Sequence, residues 1–292
     1  MTSLVKQSQA ADSAGRDFHF TQQDFLRVKR MIYQHAGINL NDSKEQMVYS
    51  RLARRLRALD IGRFDEYLAL LADARHPEWE HFINALTTNL TAFFREMHHF
   101  DILRDYLKHA ASQRRQITIW CSASSTGEEP YSIAMTAVEA FGSLQPSVAI
   151  IASDLDTNVL EKAANGVYTE DKIARLPERQ VKQFFLRGKG DKSGMVRVRR
   201  ELRELITFRQ INLLHDDWPV RGPLDIIFCR NVMIYFDKET QRQILAKFAP
   251  LLRSDGRLFV GHSENLHHSA DLFRSCQKTV YRLAEKGAAT DG

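Results

Sequence analysis

The sequence predicts an α/β fold made of an N-terminal helical domain and a doubly wound domain that carries a small antiparallel β insertion. Two patterns lead to this prediction: apolar residues follow helical spacing up to about residue 90, and short apolar strands alternate with helices beyond residue 100. The chain has 292 residues, more than a single domain usually contains. Its 43% hydrophobic and 26% charged residues exclude a disordered, collagen-like or coiled-coil protein.

The helical part follows a polar segment, residues 1–17, which we expect to be a disordered tail. Thr21 is a good helix N-cap with Asp24 at the third helical position, and Gly37 is a helix stop. Three further helices are predicted at residues 44–59, 64–74 and 77–89. Together they predict a helical domain over residues 18–90.

The second predicted domain covers residues 91–285, and its short apolar strands indicate a mostly parallel sheet with helices on both faces. The stretch 166–207 does not fit a further strand–helix unit, because it contains three glycines and then alternates apolar and basic residues. We predict a small antiparallel insertion there. The strands of the main sheet are predicted at residues 117–121, 148–153, 224–229 and 257–261.

A loop of small residues follows the first predicted strand and leads into a helix. Residues 122–129 read SASSTGEE, and a strand, a small-residue loop and a helix N-terminus form the phosphate or nucleoside cradle of doubly wound folds. Asp154 ends the next strand, where a carboxylate can accept hydrogen bonds from both hydroxyls of a ribose. Strand ends of this kind face one crevice, so we expect the loop and Asp154 to form one site.

The residues of the loop restrict the class of cofactor that it can bind. It lacks the lysine of a Walker A loop, and Gly127 is the only glycine where a dinucleotide loop needs three. Glu128 and Glu129 repel a pyrophosphate and favour a cation, so S-adenosylmethionine, with its sulfonium and ammonium groups, fits better. The alternative is that both carboxylates only favour a helix N-terminus through the helix dipole.

Five sequence blocks occur in a fixed order: residues 89–96 (NLTAFFRE), 125–132 (STGEEPYS), 152–156 (ASDLD), 229–236 (CRNVMIYF) and 261–264 (GHSE). With these blocks the chain resembles the chemotaxis receptor methyltransferases of the CheR family over residues 18–282. The resemblance implies a cytoplasmic protein-glutamate O-methyltransferase that esterifies glutamates of bacterial chemoreceptors with S-adenosylmethionine and so tunes chemotactic adaptation. It also implies a helical domain followed by a methyltransferase domain with a small β-subdomain.

The resemblance assigns roles to particular residues. Asp154 holds the ribose, Glu129 meets the methionyl ammonium, and Arg95 pairs with a carboxylate of the cofactor or of the substrate. Arg95 and Tyr235 are the predicted catalytic residues, acting as orienting groups because a glutamate carboxylate is already ionised at pH 7. The predicted cofactor-binding residues are Asn89, Thr91, Arg95, Glu129, Asp154, Asn212, Leu213, Arg230 and Asn231.

Two further contacts with the receptor are predicted. Basic residues of the helix at 44–59 are expected to dock the glutamate-rich receptor helices, the alternative being an ordinary solvated face; they are Arg51, Arg54, Arg55 and Arg57. Some family members capture a pentapeptide at the receptor C-terminus by strand addition to the β-subdomain. Gly188, Gly190 and Gly194 resemble the loop involved, the alternative being a plain hairpin loop.

Several classes of site and partner are excluded or left as alternatives. The three cysteines lie far apart, no histidine pair has metal-ligand spacing, and no apolar run approaches the roughly 20 residues of a membrane span. We therefore expect a cytoplasmic monomer without metal, membrane insertion or nucleic acid, with His98 and His99 on a solvated helix face. An RNA methyltransferase, suggested by the pI of about 9.1, and a non-catalytic module that binds the cofactor are the rival functions.

Overall fold

The computed structural model describes residues 17–87, 89–112 and 116–285. The chain divides into two compact units, Met1–Thr88 and Asn89–Gly292. The tail predicted over residues 1–17 lies outside the described residues except for Asp17. Within the described ranges, no helix combines the length and the apolar character needed to cross a bilayer.

The first unit is helical throughout its regular elements. Its helices are α1 (Gln22–Ala36), α2 (Glu45–Ala58), α3 (Phe64–Leu70) and α4 (Glu78–Leu86). Helix α1 has the predicted ends: Thr21 and Asp24 form a capping box, and Gly37 adopts a left-handed conformation with φ 67°.

Helices α3 and α4 both end earlier than predicted, and side-chain hydrogen bonds explain why. After α3, the Asp73 carboxylate accepts from the backbone N–H of Arg75 at 2.9 Å, which favours a turn over a further helical turn. After α4, the Arg51 guanidinium donates to the carbonyl oxygens of Ala85 at 3.2 Å and Thr87 at 2.6 Å. Arg51 therefore takes up carbonyl groups that the helix leaves unpaired at its end.

A buried ion pair joins α2 to α4. Arg55 donates from Nε and Nη2 to the two carboxylate oxygens of Glu78, each at 2.8 Å, and the Tyr67 hydroxyl donates to the same carboxylate at 2.9 Å. Burial raises the pKa of Glu78, but the hydrogen bonds from Arg55 and Tyr67 outweigh it and hold the pKa below its ordinary value. Arg51 and Arg55 thus both bind groups of their own unit, and the docking role of the four arginines stays a prediction.

The second unit is built on a seven-stranded sheet in the order β6-β2-β1-β7-β8-β10-β9. Its strands are β1 (Ile117–Cys121), β2 (Val148–Asp154), β6 (Ile206–Gln210), β7 (Leu224–Cys229), β8 (Leu252–Val260), β9 (Phe273–Gln277) and β10 (Val280–Leu283). The first five of these are parallel, whereas β9 and β10 form an antiparallel edge. The mostly parallel sheet is confirmed; β6, β9 and β10 were not predicted.

Helices cover both faces of this sheet. The long helices are α5 (His98–Ser112), α6 (Glu128–Phe141), α7 (Thr157–Asn165) and α11 (Lys238–Phe248). Successive residues of β7 alternate between two cores: Ile226 and Phe228 pack with α5 and α6, whereas Ile227 and Cys229 pack with α11. This alternation follows from the two-residue repeat of a strand, and it explains why all of β7 is buried.

The insertion is a separate three-stranded antiparallel sheet, as predicted, in the order β3-β5-β4. Its strands are β3 (Val167–Thr169), β4 (Phe185–Arg187) and β5 (Met195–Val198), accompanied by the short helices α8 (Glu170–Ile173), α9 (Glu178–Phe184) and α10 (Arg200–Arg203). Gly188 begins the loop from β4 to β5, and a Cβ there would lie 2.0 Å from the carbonyl oxygen of Lys192. The close approach of the loop backbone therefore requires glycine at this position.

Candidate active site

The parallel strands collect most of the predicted cofactor residues at one edge of the sheet. The small-residue loop follows β1, Asp154 ends β2, and Asn212 follows β6, which pairs with β2 through Asp154 and Gln210. Arg230 and Asn231 follow β7, the other neighbour of β1. Leu213 is buried beside Asn212. This edge is where open α/β sheets bind ligands.

Asp154 is held by backbone groups on both sides. Its Oδ2 accepts from the N–H of Ser125 at 2.8 Å, and its Oδ1 accepts from the N–H of Asp156 at 3.1 Å. Burial raises the pKa of Asp154 to about 6, against the lowering effect of these hydrogen bonds. Each carboxylate oxygen accepts one of these two backbone bonds, so lone pairs are left that can accept from the hydroxyls of a ribose.

Asp156 connects this strand end to the segment that precedes α5. Its Oδ1 caps α7 by accepting from the N–H groups of Asn158 and Val159, and its Oδ2 accepts from the Asn89 side-chain amide at 2.9 Å. Asn89 is thus tied to the carboxyl end of β2, as a residue at the predicted site should be. Thr91, which was also predicted to bind the cofactor, lies in the same segment, and its side chain is partly exposed.

The loop after β1 contains two buried serine hydroxyls that lack a hydrogen-bond partner within the described structure. They belong to Ser124 and Ser125. Because buried hydroxyls are normally paired, these two atoms favour a polar ligand at the loop. Gly127 has a φ of 98°, and a Cβ there would lie 2.8 Å from the Tyr168 hydroxyl and 2.9 Å from the Ala163 Cβ. Close packing against Tyr168 and Ala163 therefore requires glycine at position 127. The two serine hydroxyls without partners among the described residues fit a polar cofactor such as S-adenosylmethionine.

Arg230 is a buried guanidinium that fastens three segments together. Its side chain is 1% exposed and forms ion pairs with Glu129, at the start of α6, and with Glu96, whose Oε2 lies 3.4 Å from Nη2. Nη2 also donates to the carbonyl oxygen of Arg95 at 2.5 Å. A buried charge needs such partners, and these fix where Glu129 and Arg95 lie. Glu129 already pairs with a cation, so its predicted contact with a methionyl ammonium stays a prediction.

Glu96 and His99 belong to the same network, although neither was predicted to have a functional role. Glu96 accepts from the backbone N–H of His262 at 3.2 Å and contacts its Nδ1 at 3.0 Å. Burial raises the pKa of Glu96, but the His262 bonds and the charge of Arg230 outweigh it and lower the pKa to about 2. Burial and Arg230 lower the pKa of His99 to about 3. The ionised Glu96 therefore adds a second negative charge around Arg230.

The expected solvated face at His98 and His99 is wrong for His99, which is fully buried. Its ring packs against Phe259 at 5.3 Å, and its Nε2 lies 2.7 Å from the Thr279 hydroxyl, because α5 covers this part of the sheet. Glu96, His98 and His99 offer three possible metal-ligand atoms within 4.8 Å of one another. The adjacent positive charge of Arg230 disfavours a cation at this cluster.

Strained backbone is concentrated around the site. In the described ranges, six residues other than glycine have positive φ, and four of them lie in the segments just described. They are Phe94 at 51°, Glu96 at 60°, Ser125 at 47° and Asn231 at 58°. Such conformations persist only where surrounding contacts enforce them, and they are common at active sites.

Glu264 gives the block GHSE a structural role that was not predicted from the sequence. It is 6% exposed, and its carboxylate accepts from the backbone N–H groups of Gly261 at 2.5 Å, Asn231 at 3.0 Å and Ile234 at 3.3 Å. Burial raises the pKa of Glu264 despite these bonds. One side chain thus joins the loop after β8 to the loop after β7. Tyr235, half-buried, follows Ile234 directly in that second loop.

The remaining predicted residues belong to other elements. Gly188, Gly190 and Gly194 belong to the loop of the small sheet, and the arginines of α2 belong to the first unit. Of these arginines, Arg57 pairs with Asp17 at 2.5 Å, and Arg54 is exposed with no ion pair among the described residues. Arg95 itself is half-buried and donates from Nη1 to the carbonyl oxygen of Leu90 at 2.9 Å.

The raised pKa of Asp154 predicts a pH-dependent cofactor affinity. Only the ionised carboxylate accepts hydrogen bonds from both ribose hydroxyls, so affinity for S-adenosylmethionine should fall as pH drops through about 6, approaching roughly tenfold per pH unit at lower pH. Calorimetric titration between pH 5 and 8 measures this. Asp154→Asn, the matched control, should bind weakly with little pH dependence; an unchanged pH profile in this variant would assign the titration to another group.

Comparison with known proteins agrees with this geometry. The family model described as "CheR methyltransferase, SAM binding domain" matches residues 89–282, and "CheR methyltransferase, all-alpha domain" matches residues 23–87. Chemotaxis protein methyltransferase 2 of Pseudomonas aeruginosa is 53% identical over 269 residues, which are 92% of this chain and 96% of that protein.

A second relative, the chemotaxis protein methyltransferase of Escherichia coli K12, is 50% identical over 262 residues, or 89% of this chain and 91% of that protein. The matched domains contain the helical unit and the sheet edge described above. The chain therefore belongs to the CheR family of S-adenosylmethionine-dependent methyltransferases.

Proposed function

We propose that this protein transfers a methyl group from S-adenosylmethionine to glutamate side-chain carboxylates of bacterial chemoreceptors, forming methyl esters that tune chemotactic adaptation. Relatives about 50% identical over most of the chain are named chemotaxis protein methyltransferases. The observation that carries the proposal is that all five family blocks meet the same network at the carboxyl edge of the parallel sheet. In chain order they supply Glu96, Ser125 with Glu129, Asp154, Arg230 and Glu264 to it.

The electrostatics of this edge suit a cationic cofactor. Glu129 and Glu96 carry two negative charges around the single positive charge of Arg230. Asp154 adds another negative charge above pH 6. The net negative charge favours a sulfonium and disfavours a pyrophosphate.

Catalysis of this methyl transfer depends mainly on positioning the acceptor carboxylate. When bound, S-adenosylmethionine supplies an electrophilic methyl group on a positively charged sulfur. A glutamate carboxylate is already ionised at pH 7 and needs no general base, so the protein must desolvate and align it. Alignment can lower a barrier by about 7–11 kcal/mol in favourable cases. Arg95 can bind a carboxylate bidentately, and Tyr235 can orient the acceptor at the reacting end.

The reaction class is tested by methyl transfer from labelled S-adenosylmethionine to membranes that contain chemoreceptors, followed by mild alkali. A carboxyl methyl ester should release volatile labelled methanol. Label that resists alkali, or label transferred to RNA, would contradict the proposal. No transfer despite intact cofactor binding would instead favour the non-catalytic module. Arg95→Ala serves as the matched variant and should lose far more turnover than cofactor affinity, provided that Arg95 holds the substrate.

Glu264 is predicted to act as a positioning residue for Asn231 and Tyr235. Glu264→Gln keeps the shape but directs an amide N–H, in place of an acceptor, toward at least one backbone N–H group. We expect kcat to fall at least about tenfold, or 1.4 kcal/mol, with a smaller change in the affinity for S-adenosylmethionine. Glu239→Gln, an exposed substitution on α11, is the control. If a lower melting temperature of the variant accounts for the whole loss of kcat, Glu264 only supports folding.

Docking of the receptor helices is proposed for the exposed part of α2, where Arg54 has no ion-pair partner among the described residues. Arg54→Glu should raise the KM for receptor about fivefold, the scale of one exposed ion pair, and leave the melting temperature unchanged. Arg55→Glu should behave differently and lower the melting temperature, because it places a second carboxylate beside the buried Glu78. An unchanged KM for Arg54→Glu would remove α2 from the docking surface.

Capture of a receptor tail is proposed for β4, an edge strand of the small sheet whose outer side is not paired in the described structure. A pentapeptide could add to β4 by strand pairing, with the Gly188–Gly194 loop beside it. Tethering would raise the local concentration of receptor glutamates without a new catalytic contact. A peptide that ends in Asn-Trp-Glu-Thr-Phe should bind in calorimetry; no binding would leave this loop as a plain hairpin connection.

A further inference from the structure

The helical unit contains a cavity of about 340 Å³ that the proposed function does not use. It lies beside α1, and the region of α3 and α4 supplies its other wall. Its size is within the range of sites that take a small ligand or a large side chain. The arginines of α2, proposed above to dock the receptor, do not line it.

The charges that line the cavity are of one sign. Arg27 and Arg30 line it, and no carboxylate does so among the described residues. Arg27 donates from Nη2 to the carbonyl oxygen of Leu68 at 2.9 Å, which holds its guanidinium in place and leaves other N–H groups for a ligand. Arg30 is exposed and has no hydrogen bond or ion pair within the described part of the chain. Two neighbouring guanidinium groups that still have N–H groups to donate favour the binding of a carboxylate.

The remaining wall of the cavity is apolar and aromatic. Met31, Leu68 and Leu71 line it together with Trp79. The Trp79 ring stacks on His35 at 4.4 Å with an interplanar angle of 11°. Its Nε1 donates to the Asp73 carbonyl at 3.0 Å, which fixes the indole. A rigid aromatic surface of this kind packs well against a large apolar side chain.

The exposed face of α1 extends this apolar surface. Leu26 is 47% exposed and Tyr33 is 42% exposed, although single exposed apolar residues are ordinary on protein surfaces. These two lie four residues before and three residues after Arg30, so all three share one helix face. The unpaired guanidinium is thus flanked by apolar side chains next to the cavity.

We propose that the α1 surface, defined as Leu26, Arg27, Arg30, Tyr33 and Trp79, docks an acidic peptide segment of a partner protein that carries one large apolar side chain. The carboxylates would bind the two arginines, and the apolar side chain would fill the cavity against Trp79. A second copy of this chain is disfavoured as the occupant because the chain carries a net charge of +5. The residues of this surface belong to the first unit, whereas those of the proposed methyl-transfer site belong to the second.

The test uses the full chain and fluorescein-labelled synthetic peptides rich in Glu and Asp with one central Leu, Phe or Trp. Matched peptides carry Ala at the centre, or Gln in place of the acids. Fluorescence anisotropy at low salt should detect binding of the acidic apolar peptides and weaker binding of both matched sets. Arg30→Glu should weaken binding at least tenfold. Lys44→Glu, an equal charge reversal at an exposed residue outside the cavity, should change it less than twofold.

Four results would overturn the proposal. The first is no binding of any acidic apolar peptide. The second is equal weakening by Arg30→Glu and Lys44→Glu, which would mean general attraction to a basic protein. The third is equal binding of Ala-centred peptides, which would remove the cavity from the contact. The fourth is self-association that Arg30→Glu abolishes in sedimentation, which would assign the surface to a second copy. Methyl transfer and circular dichroism, measured in parallel, establish that each variant is folded.

Discussion

The site depends on the burial of one positive charge. The Arg230 side chain is 1% exposed, and an isolated guanidinium at that depth would be very costly. It is stable there because two carboxylates and a backbone carbonyl surround it: Glu129 lies at the start of α6, and Glu96 and the Arg95 carbonyl lie in the segment before α5. The loop after β7, the start of α6 and the segment before α5 are therefore fixed relative to one another. Removing Arg230 would leave two carboxylates without their counter-charge in the interior.

The parallel sheet makes this arrangement possible. Parallel strands direct their carboxyl ends to one edge, so the loops after β1, β2, β6 and β7 meet although they are distant in sequence. Glu264 extends the same principle to the loop after β8, since its carboxylate binds N–H groups from two loops. The antiparallel pair β9 and β10 adds Thr279, whose hydroxyl meets His99 beneath the network.

The edge carries features that cost folding stability and suit a ligand. Asp154 has a raised pKa because its charge is buried, two serine hydroxyls are unpaired among the described residues, and four residues adopt left-handed backbone. Sites that are prepared for a ligand commonly retain such destabilising features, because the ligand supplies the missing partners. The helical unit uses polar groups differently. There Arg55, Glu78 and Tyr67 satisfy one another and hold α2 against α4.

The sequence alone determined the features that depend on local pattern. The capping box of α1, its stop at Gly37 and the buried strands β1, β2 and β7 follow from residue type and spacing, and the five blocks were enough to identify the family. Tertiary structure decided what depends on distant partners. Strands β6 and β9 expose most of their residues and lack a clear apolar alternation, so only pairing with a neighbouring strand defines them. Further examples are the hydrogen bonds of Arg51 and Arg55 within the first unit, the contact of His99 with Thr279, and the bond of Glu264 with Asn231. These contacts join residues that are 23 to 180 positions apart. No local periodicity encodes such contacts, because they arise only when the packed elements bring the side chains together.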